Sequence, residues 1–126
     1  MAIKGRPLTI LRGSSKTLEV TIRDANKELV NLDGSKIFFT LKRSIDSSSW
    51  LARKTSDNIA EAEILTQSGD TLGKARIYLS PSDTIDATPA RDYEYDVWVE
   101  LASGKRYPVI KPSQADLRRA VTEDFS

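Results

Sequence analysis

The sequence predicts an all-β fold, two antiparallel sheets packed face to face. Three observations predict it. One stretch, Arg91–Lys111, reads as a complete β-hairpin with a buried and a wet face. Three further runs carry period-2 alternation, separated by Gly, Pro, Asn, Asp and Ser clusters. No helical pattern of useful length lies between these runs, which argues against a parallel α/β sheet.

From Asp92 to Leu101 the alternation is strict. Tyr93, Tyr95, Val97, Val99 and Leu101 share one face, and Asp92, Glu94, Asp96, Trp98 and Glu100 share the other. Ala102-Ser103-Gly104 supplies the turn, with Gly104 able to take the positive φ of a three-residue loop. That loop sets Val99 opposite Tyr107 and Val97 opposite Val109, whereas a one-residue slip would turn Arg106 and Pro108 inward. Pro108 cannot donate to a ladder, so the second strand, Tyr107–Lys111, is expected at an edge or half paired.

Along the chain, residues 7–12 form a short strand ending at Gly13-Ser14-Ser15. Lys16–Asp24 alternates with Leu18, Val20 and Ile22 inward. Lys36–Arg43 does so with Ile37, Phe39 and Leu41 on one side and Phe38 partly on the other. Residues 44–67 are the least regular. Trp50–Lys54 and Ile59–Leu65 fit a strand, a helical turn or an ordered loop. Lys74–Ser80 is a strand with Ala75, Ile77 and Leu79 on one face. Ser80-Pro81-Ser82-Asp83-Thr84 then predicts one helical turn, because Ser caps and Pro suits the first position. After Pro112 two readings stay open, a helix with Leu117, Ala120 and Val121 on one stripe or a strand over Leu117–Thr122. The count is about seven strands with a short C-terminal helix or strand, an immunoglobulin-like antiparallel β-sandwich that lacks the Cys…Trp…Cys pattern of antibody domains.

The 126 residues suit one domain, with residues 112–126 as a possible docking arm. Cysteine and histidine are both absent, which removes disulfides, thiolate metal sites, the commonest general base and the commonest metal ligand. The formal net charge is +1 with the signs interspersed, which predicts neither a nucleic-acid nor a membrane-surface partner. The start, MAIKGRPLTIL, lacks the apolar run of a signal peptide, so synthesis in the cytoplasm is expected.

No constellation reads as chemistry, and the expectation is no catalytic residue, no cofactor and no metal. The acids Asp92, Glu94, Asp96 and Glu100 lie in a flat row, which fits a solvated strand face better than a calcium cage. Lys42-Arg43, Arg53-Lys54 and Arg118-Arg119 are isolated basic pairs. The Ser47–Ser49 cluster has no base to activate it, and Gly69-Asp70-Thr71 lacks phosphate-loop spacing. What remains are candidate partner contacts: Trp98 on the polar strand face, Trp50 in its loop, Tyr107 and Ile110 on the second hairpin strand, and Phe125 near the end. For Trp98 two readings stay open, cover by the Trp50 loop or the C-terminal tail and exposure to a partner.

Four blocks in order carry a family resemblance: an opening strand, then TLEVTIRDANKELVNLDGSKIFFTLKR (Thr17–Arg43), GKARIYLSPSDT (Gly73–Thr84) and DYEYDVWVELASGKRYPV (Asp92–Val109). Together they resemble the immunoglobulin-like modules of bacteriophage tail and baseplate proteins, such as the N-terminal domain of the siphophage baseplate upper protein. Asp24, Leu32, Gly34 and Phe39 fall at matching places in the first block, Gly73 and Thr84 in the second, and Tyr93, Tyr95, Asp96, Gly104 and Tyr107 in the third. The likeness covers about Leu8–Lys111, and residues 44–67 have no counterpart in it. It implies a non-enzymatic virion structural protein of tail, baseplate, neck or capsid surface, with other virion proteins and further copies of itself as partners. The alternative is a stand-alone module binding carbohydrate through Trp50, Trp98 and nearby Tyr.

Overall fold

A computed structural model describes residues 3, 4, 7–44, 46 and 48–121, of which Ile3 and Lys4 are described by backbone alone. The strands are β1 (Ile3–Lys4), β2 (Leu8–Leu11), β3 (Lys16–Thr21), β4 (Lys36–Lys42), β5 (Ala52–Thr55), β6 (Ala62–Ile64), β7 (Lys74–Leu79), β8 (Ala90–Glu100) and β9 (Arg106–Arg118). One helical turn, α1 (Pro81–Thr84), and a 3₁₀ turn at Gly69–Thr71 complete the set.

The strands form two sheets. The larger runs β1-β9-β8-β4-β5, with β2 also on β9, and the smaller runs β3-β7-β6. With β4, β8 and β9 in one sheet and β3, β7 and β6 in the other, the molecule is an immunoglobulin-like sandwich. Each inner face comes from the predicted alternation. Ile37, Phe39 and Leu41 from β4 meet Tyr93, Tyr95, Val97 and Val99 from β8, and Val20, Ala75, Ile77 and Leu79 close the other side; all are buried. Phe39 and Tyr95 stand 6.1 Å apart, ring centroid to centroid, in the middle of this core. They occupy the strands on which antibody domains carry a Trp and a disulfide Cys, so aromatic packing does that work without sulfur. The Tyr93 hydroxyl donates to the Thr88 carbonyl at 2.7 Å, tying the start of β8 back onto its own approach.

Several expectations change. The pairing is not wholly antiparallel, since β1 and β2 run parallel to β9. Residues 12–15 carry the chain from β2 in one sheet to β3 in the other, so these two strands cannot form a hairpin with each other. Residues 50–65, left open between three readings, contribute the strands β5 and β6 around a turn, which raises the strand number above seven. Neither C-terminal reading holds as drawn: no helix forms among the described residues there, and of those in Leu117–Thr122 only Leu117 and Arg118 are strand, as the end of β9. β9 runs to Arg118, with Ser113, Ala115, Asp116 and Leu117 buried, so residues 112–118 belong to the sandwich and are no docking arm. Burial of that second half against β2 outweighs the weak helical stripe.

The hairpin register holds at its turn and slips beyond it. The loop at Ala102–Gly104 closes as predicted, with the Leu101 N–H on the Lys105 carbonyl, the Gly104 N–H on the Leu101 carbonyl and φ +89° at Gly104. Val99 faces Tyr107, but Val97 faces Ile110, not Val109. A bulge just after Pro108 causes this, and further register shifts follow at Lys111-Pro112 and between Tyr93 and Ala90. Two one-residue shifts restore parity, so Ser113, Ala115 and Leu117 again point inward. Tyr107–Lys111 is half paired, as expected: on the side away from β8 only Ile110 and Lys111 have a strand partner among the described residues, β1.

Candidate interaction face

The outer face of the larger sheet is built by the alternate residues of β4, β5, β8 and β9. Register sets them in rows across the strands. Phe38 lies directly opposite both Trp98 and Thr55, and Trp98 lies opposite Pro108, giving one continuous row Thr55–Phe38–Trp98–Pro108. Trp50 joins it from the approach to β5, sharing a hollow of about 310 Å³ with Phe38 and Arg53. The Arg53 guanidinium stands 4.9 Å over the Trp50 ring, a cation–π contact. Trp50 is 52% exposed and Trp98 39%, so neither indole is covered by the rest of the described chain. For Trp98 that removes the Trp50 loop as a cover, while the tail beyond Val121 lies outside the described residues.

Charged rows border this apolar one. On one side Lys36, Glu100 and Arg106 align, with Arg106 Nε 3.1 Å from Glu100. On the other side come Arg53, Thr40 and Asp96, then Lys42 with Glu94 and Gln114. The Trp98 indole N–H donates to Asp96 at 3.2 Å, which fixes the ring against its own strand. The Asp96 carboxyl is pushed above the usual carboxylate range, chiefly by burial, while the Trp98 hydrogen bond and the Lys42 charge pull the other way. Beside it a hollow of about 240 Å³ is bounded by Thr40, Lys42, Glu94, Asp96, Trp98 and Pro112. Within it Glu94 Oε2 is buried and accepts no hydrogen bond from the described residues.

The acidic row is partly neutralised, with ion pairs at both of its ends. Asp92 pairs with Arg43 at 3.0 Å, Glu94 faces Lys42, and Glu100 has Arg106. Among the described residues no three metal-ligating side chains cluster. The basic pairs are likewise spent locally: Arg43 also stacks on Tyr93 at 5.2 Å, Lys54 binds Asp83, and Arg118 binds Asp116.

Of the five predicted contact residues, the structure brings two together, Trp50 and Trp98. Tyr107 and Ile110 are half-buried and pack against the core, so they lie away from this face. Phe125 falls outside the described residues. Phe38 and Pro108 complete the apolar row and were not singled out. Their signal was present, since Phe38 is out of phase with Ile37, Phe39 and Leu41, but only cross-strand register joins it to Trp98.

No protein-family model matches the chain, and none of the curated proteins matches it. Among the described residues no helix is long and apolar enough to cross a membrane.

Proposed function

We propose that this chain is a non-enzymatic structural protein of a bacteriophage virion, a tail, baseplate, neck or capsid-surface module acting through protein–protein contacts. The observation that carries the contact surface is the row Phe38–Trp98–Pro108 with Trp50 beside it. Open aromatic groups in register, rimmed by paired charges, match the anatomy of an interface centre and its polar border. The phage assignment is supported by the resemblance over Leu8–Lys111 and by the immunoglobulin-like strand order, which agrees with it. The partners on this reading are neighbouring virion proteins and further copies of the chain. Neither nucleic acid nor membrane is among them, because every basic pair already has an acidic or aromatic neighbour.

The test is localisation in purified particles by immunogold labelling. Labelling at a fixed position on the tail, neck or capsid supports the reading, and Trp98→Ala should strip the protein from the particle while leaving it folded. Absence of the protein from purified particles would sink it.

A second reading, a carbohydrate-binding module, is favoured by one observation. The unpaired Glu94 oxygen and the Asp96 carboxyl line a hollow whose wall is the Trp98 ring, a pairing of acceptors and aromatic platform suited to a sugar. Saturable quenching of tryptophan fluorescence by a glycan panel, lost in Glu94→Gln, would favour it over the structural reading.

A further inference from the structure

The smaller sheet ends in β3, and β3 offers the longest unpaired edge among the described residues. It has six residues, against four in β2 and β5 and three in β6. It pairs with β7 from Lys16 to Thr21 without a bulge, and it contains no proline.

The direction of its free groups follows from the ladder. Tyr78 donates to the Glu61 carbonyl and Leu65 to the Lys74 carbonyl, so Lys74, Arg76 and Tyr78 of β7 turn their backbone groups toward β6. Ile22 donates to Gly73, so Leu18 and Val20, opposite Ile77 and Ala75, turn theirs toward β7. The N–H and C=O groups of Thr17, Glu19 and Thr21 therefore point out of the open edge. Inside that edge, Leu18 borders a hollow of about 350 Å³ between the sheets, whose apolar lining includes Leu8, Tyr95, Val97 and Ile110.

We propose that two copies of the chain join through their β3 edges, antiparallel about a twofold axis at Leu18. This makes one six-stranded sheet from two three-stranded ones. A twofold axis normal to a sheet must pass through a residue position, because opposite residues share a face. Centred on Leu18, Thr17 faces Glu19 of the second copy, Lys16 faces Val20, and Leu18 meets Leu18 over the hollow. No like charges meet. Centring on Glu19 would set two carboxylates directly opposite, which is unfavourable. With the axis at Leu18, Thr17 and Glu19 exchange backbone hydrogen bonds reciprocally, and Glu19 arrives already neutralised by Arg76 at 3.3 Å and Lys74 at 3.7 Å.

The proposal concerns self-association only and uses a different sheet from the aromatic row, so each can fail alone. The experiment uses the full chain, sedimentation equilibrium and two variants. The wild type should form a concentration-dependent dimer. Glu19→Pro removes an outward N–H without touching the β7 ladder, and should weaken that dimer at least about tenfold. The chain has no cysteine, so Leu18→Cys introduces a single thiol. A non-hydrogen-bonded pair brings its Cα atoms to about 4.5 Å, within disulfide reach. Mild oxidation should cross-link this variant much faster than a Ser103→Cys control in the hairpin loop. A strict monomer overturns the proposal. So does a dimer in which the Leu18→Cys variant cross-links no faster than the control, and that result stands even where Glu19→Pro fails to fold.

Discussion

The buried hydroxyl of Thr84 accepts the backbone N–H of Gly13 at 2.9 Å, across seventy-one residues of chain. The bond joins the turn between β2 and β3 to the last residue of α1, at a point where the chain passes from one sheet to the other. Gly13 has φ +77°, and a Cβ there would come within 2.7 Å of the Ile85 side chain, so the turn and α1 are fitted to each other. Thr84→Val keeps the shape and leaves the Gly13 N–H without its acceptor. The expected loss is about 1–3 kcal/mol by urea denaturation, the usual cost of an orphaned buried donor.

The same helical turn is held from the other side by Lys54 of β5, whose Nζ lies 2.8 Å from Asp83. Asp83 also accepts the Ser80 N–H at 2.7 Å, so one carboxylate caps α1 and anchors it to the larger sheet. The pair is mostly buried, with side chains 11% and 17% exposed, and losing one partner strands a charge in a poorly solvated place. Lys54→Met should cost about 2–3 kcal/mol. A double-mutant cycle with Asp83→Asn should return a coupling of about 1–2 kcal/mol, and additive effects would contradict the pairing.

Neighbouring residues of β8 should behave oppositely. Val97 is fully buried, and Val97→Asp puts an unpaired carboxylate between the sheets, at a cost of several kcal/mol, on the order of 3–5. Trp98 faces outward against Phe38 and Pro108. Trp98→Ala should cost only about 1 kcal/mol, the worth of a cross-strand contact, while removing the centre of the aromatic row. Thermal melts of the two variants check the assignment of faces directly.

Asp96 makes stability fall with rising pH. Its carboxyl is raised in the fold, first by burial, so the folded state holds this proton more tightly than the unfolded chain does. The contribution is present at acid pH and is lost as pH rises from the ordinary carboxylate value through the raised one. Asp96→Asn retains an acceptor for the Trp98 indole N–H and carries no charge to desolvate. The variant should be more stable than wild type at neutral pH, and the difference should close below the ordinary aspartate range. Denaturant midpoints at a series of pH values measure it, and a constant difference would contradict this origin.

The sandwich was legible because one face of nearly every strand must be apolar. Period-2 alternation marked β3, β4, β7 and β8 with their inner residues, and Ala102-Ser103-Gly104 marked a turn whose geometry a glycine dictates. β5 and β6 were not legible, since strands of four and three residues carry too few alternations to separate them from a turn. The second half of β9 was obscured for another reason. Two bulges beside Pro108 and Pro112 break its period, so a reading that assumes one phase loses the strand where the phase changes. The same change of phase moved Ile110 opposite Val97, whereas Tyr107, ahead of the first bulge, keeps its predicted place opposite Val99.

The sequence by itself determined what this protein lacks and which residues face inward. Absent cysteine and histidine, and alternation enforced by the hydrophobic effect, are local properties that no packing can alter. Only the tertiary structure decided which outward residues become neighbours. Phe38, Trp98 and Pro108 are sixty and ten residues apart along the chain, as their numbers show, and they meet because strand register is set jointly by every pair of inner faces at once. The same holds for the parallel seat of β2 on β9 and the open edge of β3. Edges are defined by which strands remain unpaired once all the others have found partners, and that is a property of the whole sheet.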